Sequence, residues 1–113
     1  MDLIIKNKII TAPIKDILEL VRYESNNGYL NYIGDVKGDD ITITCPFHKN
    51  GQENHPSCHV YSDRNNPNIY YGTVHCFTCG KSVPLYTLVG KCFEQDDDFG
   101  KQWLLDRFGN TLI

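Results

Sequence analysis

Cys45-Pro46-Phe47-His48 and Cys76-Phe77-Thr78-Cys79-Gly80 form two matched motifs, with twenty-seven residues between His48 and Cys76. Each holds two ligand-type side chains separated by two residues. A turn of that length aims both side chains at one point and lets backbone N–H groups donate to a thiolate. Two such knuckles supply four soft or borderline ligands, the tetrahedral set that structural zinc takes. The expected ligands are Cys45, His48, Cys76 and Cys79, and the expected cofactor is Zn²⁺. A complete shell leaves no open coordination position and no activated water, so no catalytic residue is assigned to it. No other His–carboxylate or Ser–His set stands out.

Other readings of these residues compete. A lone Cys-x-x-Cys can be a redox pair, but the βαβ surroundings of a thioredoxin-like motif are missing and Cys45 with His48 would go unexplained. The cysteines could also serve as small buried hydrophobes. His75 next to Cys76, and His55 with Cys58 and His59, are further possible ligands. None of them precedes the Cys-Gly turn of a knuckle. Cys58 is expected to pack inward from a strand, and Cys92 to lie on the apolar face of a helix. Five cysteines cannot all pair within one chain. In a reducing cytoplasm they suggest metal ligands before disulfides.

Working outward, Ile14, Ile17, Leu18 and Val21 follow the spacing of one apolar helix face, with Thr11 as cap and Pro13 in the first turn. This predicts a helix over about 12–24, ended by Asn26-Asn27-Gly28. Residues 29–34 and 40–45 read as two strands around Lys37-Gly38-Asp39, where Ile41 and Ile43 alternate with Thr42 and Thr44. Residues 58–62 and 69–76 read as a second pair across the turn-rich loop 63–68. Ser82 can cap a helix carrying Leu85, Leu88, Val89 and Cys92. The acidic run 94–98 then leads into Phe99, Leu104 and Phe108, with Gly109 as a stop. Acids there complement the partial positive charge of a helix N-terminus. The expected class is α+β: a zinc ribbon over about 29–81 on a small antiparallel sheet, with helices before it and at about 82–109, all in one domain spanning 1–113.

The chain of 113 residues is 41% apolar and carries a formal charge of -3. This suits a small globular domain with a modest core, for which a structural metal matters energetically. It argues against a broadly basic nucleic-acid coat. No apolar run approaches the roughly 18 residues needed to span a bilayer, and the start lacks an apolar signal core. The expectation is a cytoplasmic protein without membrane contact.

Cys45-Pro46-Phe47-His48, then His55-Pro56-Ser57 and a strand, then His75-Cys76-Phe77-x-Cys79-Gly80, resembles the N-terminal zinc domain of bacterial- or phage-type DNA primases. The resemblance covers about residues 12–109. It implies a Cys, His, Cys, Cys ligand set at Cys45, His48, Cys76 and Cys79, and recognition of single-stranded template during primer synthesis in DNA replication. Polymerisation in such primases belongs to a separate domain, so this chain alone is not expected to make primers. The chain departs from the pattern at Thr78, where the family usually has Gly, and at Lys81-Ser82-Val83-Pro84, where it usually has Gly-Asp. The loop between the knuckles also looks longer than usual.

Single strands are held by stacking aromatics and a local positive field. The candidates are Lys49, Arg64 and Lys81 with Tyr61 and Tyr71. Tyr70 and Tyr71 point to opposite faces of a strand, so at most one is expected to be exposed. Phe47 and Phe77 are expected to pack around the metal. The alternative is a zinc-stabilised docking module for a helicase, a primase catalytic domain, a polymerase or another replication partner, without DNA contact. Net acidity and the missing Gly-Asp lean towards that alternative. Exposed aromatics beside Lys on the open side of the sheet would favour DNA, and an apolar patch a protein partner.

Overall fold

The computed structural model describes residues 1–111. Among these, three helices accompany two antiparallel sheets, so the class is α+β. The larger sheet has the order β3-β4-β5-β6-β7 and is built from Ile33–Lys37, Asp40–Ile43, Cys58–Tyr61, Val74–Cys76 and Ser82–Val83. The smaller has the order β1-β2-β8, from Leu3–Ile5, Lys8–Ile10 and Gly109–Thr111. The helices are α1 (Ile14–Ser25), α2 (Leu85–Cys92) and α3 (Asp97–Phe108).

Helix α1 buries Ile14, Ile17, Leu18 and Val21, the expected face. It begins two residues later than expected because Pro13 is the extended cap residue and makes no side-chain cap bond, so Thr11 does not serve as the cap. Asn26 ends it in the left-handed region, with its N–H on the Arg22 carbonyl at 3.1 Å. An ion pair between Lys15 and Asp35 joins α1 to β3.

The strands shift where loops compete for the backbone. Residues 29–32 stay outside β3, since the Asn27 side chain accepts from Tyr29 N–H at 3.1 Å and Leu30 is buried in a loop. Residues 69–73 stay outside β6. There Tyr71 N–H donates to the Met1 carbonyl at 2.7 Å, drawing the segment to the N-terminus. Ser82 lies in the edge strand β7 rather than capping α2, and Pro84 stands at the helix entry. Helix α3 is capped as its acids suggest: the Asp96 carboxylate accepts from Phe99 N–H at 2.9 Å.

The smaller sheet was not expected. Its first hairpin turns through Lys6 (φ 49°) and Asn7 (φ 65°), the double positive-φ geometry of a tight antiparallel connection. Gly109 ends α3 and opens β8, which pairs with β2.

Within the larger sheet, Ile41, Ile43, Cys58, Val60, Val74 and Cys76 are buried, alternating with less buried residues along each strand. They join Ile17, Leu18, Leu85, Leu88, Val89, Trp103 and Leu104 in one core cluster. Burial of each large aliphatic side chain stabilises by roughly 1.5–3 kcal/mol. Helices α2 and α3 meet closely at Gly100, where a Cβ would stand 1.9 Å from the Tyr86 carbonyl oxygen. Only a residue without a side chain permits that approach.

Candidate metal centre

Strand β4 delivers Cys45 into a turn closed by His48 N–H on the Cys45 carbonyl at 3.3 Å, which also accepts from Gly51 N–H at 3.0 Å. Strand β6 delivers Cys76 into the second turn. Gly80 N–H donates back to the Cys76 carbonyl at 2.9 Å, and Cys76 N–H donates to the Lys81 carbonyl at 2.9 Å. Gly80 holds φ +72° in open space, so conformation rather than room requires glycine there.

These turns bring the sulfurs of Cys45, Cys76 and Cys79 within 4.8 Å of one another. Cys45 Sγ and Cys79 Sγ are 3.8 Å apart. A tetrahedron with metal–sulfur bonds near 2.3 Å has edges of about 3.8 Å. Three thiols at that spacing can hold a metal ion, and the donor set suits a thiophilic one. Cys45 and Cys76 are buried, whereas Cys79 is exposed.

The surroundings favour charge on one sulfur. Burial raises the Cys76 thiol pKa, but hydrogen bonds from Cys79 N–H (3.4 Å), Ser57 Oγ (3.5 Å) and the neighbouring sulfurs outweigh it and bring it down to about 7. Burial pushes the Cys45 thiol strongly up. Of these two buried thiols, the surroundings favour the thiolate on Cys76. Burial likewise raises Cys58 and Cys92 to about 12, as suits structural thiols.

Glu53 braces both turns, a role the sequence did not signal. Its Oε1 accepts from Cys45 N–H at 3.1 Å, Ser57 N–H at 2.9 Å and Ser57 Oγ at 3.0 Å. Ser57 in turn touches the Cys76 sulfur. Glu53→Ala should weaken metal affinity by about 10–100-fold, the usual effect of losing a group that orients ligands. Competition with a chromophoric chelator measures this, and an unchanged affinity would remove Glu53 from that role.

His48 does not belong to the three-sulfur group; the structure places it one turn beyond Cys45. The competing His55, His59 and His75 are not in the group either. His55 is exposed, while His59 and His75 face each other across β5 and β6. Cys58 and Cys92 are fully buried, as expected.

The candidate nucleic-acid residues fare differently. Tyr71 is buried at 4% exposure, and its hydroxyl donates to the Ala12 carbonyl at 2.7 Å. It cannot offer a stacking face, which corrects that assignment; its neighbour Tyr70 is 56% exposed instead. Tyr61 is half-buried. Arg64 is exposed but paired with Asp2 at 3.2 Å. Lys81 is exposed and reaches over the Phe47 ring at 5.7 Å. The Lys49 side chain lies outside what the structure describes. Phe77 does not pack inward around the sulfurs as expected. It is 70% exposed and stands edge-on to His59 at 5.0 Å and His75 at 4.6 Å. The run Phe77-Thr78-Cys79 follows β6 out of the sheet, and this exit leaves the Phe77 ring outside.

Among the described residues no helix is long and apolar enough to cross a membrane. Comparison with family models, curated proteins and solved structures yields no match to this chain.

Proposed function

We propose that this chain is a zinc-binding, single-strand-binding domain of the DNA-primase type, acting in template recognition during primer synthesis. The observation that carries the reading is the convergence of three knuckle sulfurs at the end of a hairpin whose open side presents Phe77, His59 and His75. Zinc is the metal that best suits several cysteines and an imidazole in a closed tetrahedral shell. His48, on the same turn as Cys45, is the fourth ligand in this reading. The metal holds the two turns, the turns hold the strands, and the strands hold the exposed rings. Base stacking on such rings is sequence-tolerant and contributes about 1–3 kcal/mol per base.

Two measurements test the reading together. Native mass spectrometry should find one zinc per chain, and none after Cys76→Ala. Titration with a labelled single strand at low salt should give weak binding that falls with salt on a shallow slope, since few cations face the strand. Phe77→Ala should weaken that binding by about 1–3 kcal/mol. Absence of binding at low salt overturns the DNA reading.

A second reading has its own support. The formal charge is -3, and Arg64 is committed to Asp2. A protein-docking module for a helicase, polymerase or primase catalytic domain would need no phosphate-binding cations. It keeps the zinc and drops the DNA, so the same titration separates the two.

A further inference from the structure

Two concavities meet at Thr73 and Ser82, which line both. The first, of about 330 Å³, holds Phe77, His59 and His75. His59 is oriented there by Asp40, whose Oδ2 lies 3.4 Å from its Nδ1. The second, of about 480 Å³, lies between β1 and β7, the edge strands of the two sheets, and is walled by Ile4, Val83, Tyr70 and Tyr86. Both volumes fall in the roughly 300–1,000 Å³ range of ligand clefts. Tyr70 is exposed, and Lys101 on α3 holds its ammonium 4.8 Å from the centre of the Tyr86 ring. Among the described residues Lys101 makes no ion pair. Asp2, next to Leu3 on the same wall, is already paired with Arg64.

We infer that the single strand held at Phe77 continues across Ser82 into the second concavity, where Tyr70 stacks a further base and Lys101 contacts a phosphate. The inference rests on the single-strand reading above and adds a second binding site to it. Continuity favours this path, because the two clefts share a wall and need no gap in the strand between them. The Ser82 hydroxyl on that wall can donate to a phosphate oxygen, as serines commonly do along a nucleic-acid backbone. Charge favours it as well. Tyr86 orients the Lys101 ammonium through its ring face without neutralising it, so the charge is left for an anion. An apolar peptide would cover Ile4 and Val83 but would leave that ammonium without a counter-charge. The Tyr70 ring offers a face that every base can stack on, so this second site carries no base preference.

The test uses the full zinc-loaded chain and labelled thymine homopolymers from about 3 to about 12 nucleotides, the longest within the site sizes of single-strand binders. Fluorescence anisotropy at low salt should show affinity stepping up by about 5- to 150-fold once a strand reaches both concavities, the gain of one stacked base. Tyr70→Ala should remove that step and leave the shortest strands within about twofold. The Tyr70 carbonyl, which accepts from Thr73 N–H at 3.1 Å and Thr73 Oγ1 at 2.7 Å, is kept in this variant, so its circular dichroism should match the wild type. Lys101→Gln should flatten the plot of log affinity against log salt by about 0.7 for the longest strand, the share of one phosphate contact. Wild-type affinity for the longest strand in Tyr70→Ala, or an unchanged salt slope in Lys101→Gln, overturns the second site; loss of binding in Phe77→Ala alone then leaves the DNA reading intact. Binding to none of the strands overturns the DNA reading and this inference with it, and leaves both concavities to a protein partner.

Discussion

On the proposed zinc reading, withdrawal of the ion with a strong chelator is expected to unfold the five-stranded sheet. A structural zinc site contributes on the order of 10 kcal/mol of apparent folding free energy. Small domains have roughly 5–15 kcal/mol in total. Cys76 ends β6 and Cys45 follows two residues after β4, and both strands carry the inner sheet face. Both residues belong to the core cluster. Losing the ion would leave ionisable thiols crowded within 4.8 Å in a buried setting. Circular dichroism should lose its strand signal together with metal release, and Cys76→Ala should reproduce that state without chelator. Acid should act in the same direction. The Cys76 pKa is depressed to about 7 from an ordinary 9, so the stability it contributes is complete above pH 9 and lost as pH falls through 7. Protons also compete with the metal for every thiolate. A metal-free protein, verified by metal analysis, with an unchanged spectrum would refute the structural role of zinc.

Trp103→Ala should be the most damaging single core substitution, at about 3–5 kcal/mol, because it removes a large buried ring from a site with little room to collapse. Trp103 is 4% exposed and lies between Phe93 at 5.7 Å and Phe108 at 5.9 Å. Its Nε1–H donates to Glu24 Oε1 at 3.1 Å, and the Arg107 guanidinium covers its ring at 5.0 Å. Arg107 also pairs with Glu24 at 2.7 Å. One ring therefore joins α3 to α1, and the polar link closes over it. Trp103→Phe should lose far less, because it keeps most of the apolar volume and gives up one hydrogen bond worth about 1 kcal/mol. Urea unfolding followed by circular dichroism distinguishes them. A loss below about 1 kcal/mol for the alanine variant would mean that α3 is held elsewhere.

Periodicity made some of this core legible in advance. The spacing of Ile14, Ile17, Leu18 and Val21 named the buried face of α1, and Leu85, Leu88, Val89 and Cys92 named that of α2. Helix α3 is less legible. Phe99, Leu104 and Phe108 were its expected apolar residues, yet Phe99 is 36% exposed and Trp103 takes the buried place. Its apolar residues are spread around the helix, so no single stripe stood out.

Local chemistry, then, was determined by the sequence itself: two knuckles with fixed spacing, alternation along β4 and β5, and acids at the start of α3. These depend on neighbours within a few residues, so a linear reading reaches them. Tertiary structure alone decided the rest. The sheet made of β1, β2 and β8 pairs residues a hundred positions apart, as in Ile9 with Asn110, and no local pattern encodes such a partnership. Tyr71 went inside and Tyr70 outside because a distant carbonyl, that of Ala12, met one hydroxyl. The orientation of His59 and the bracing by Glu53 came from the same source. Each depends on a polar group brought near by the fold, and burial or a hydrogen bond between distant segments is a property of the folded chain.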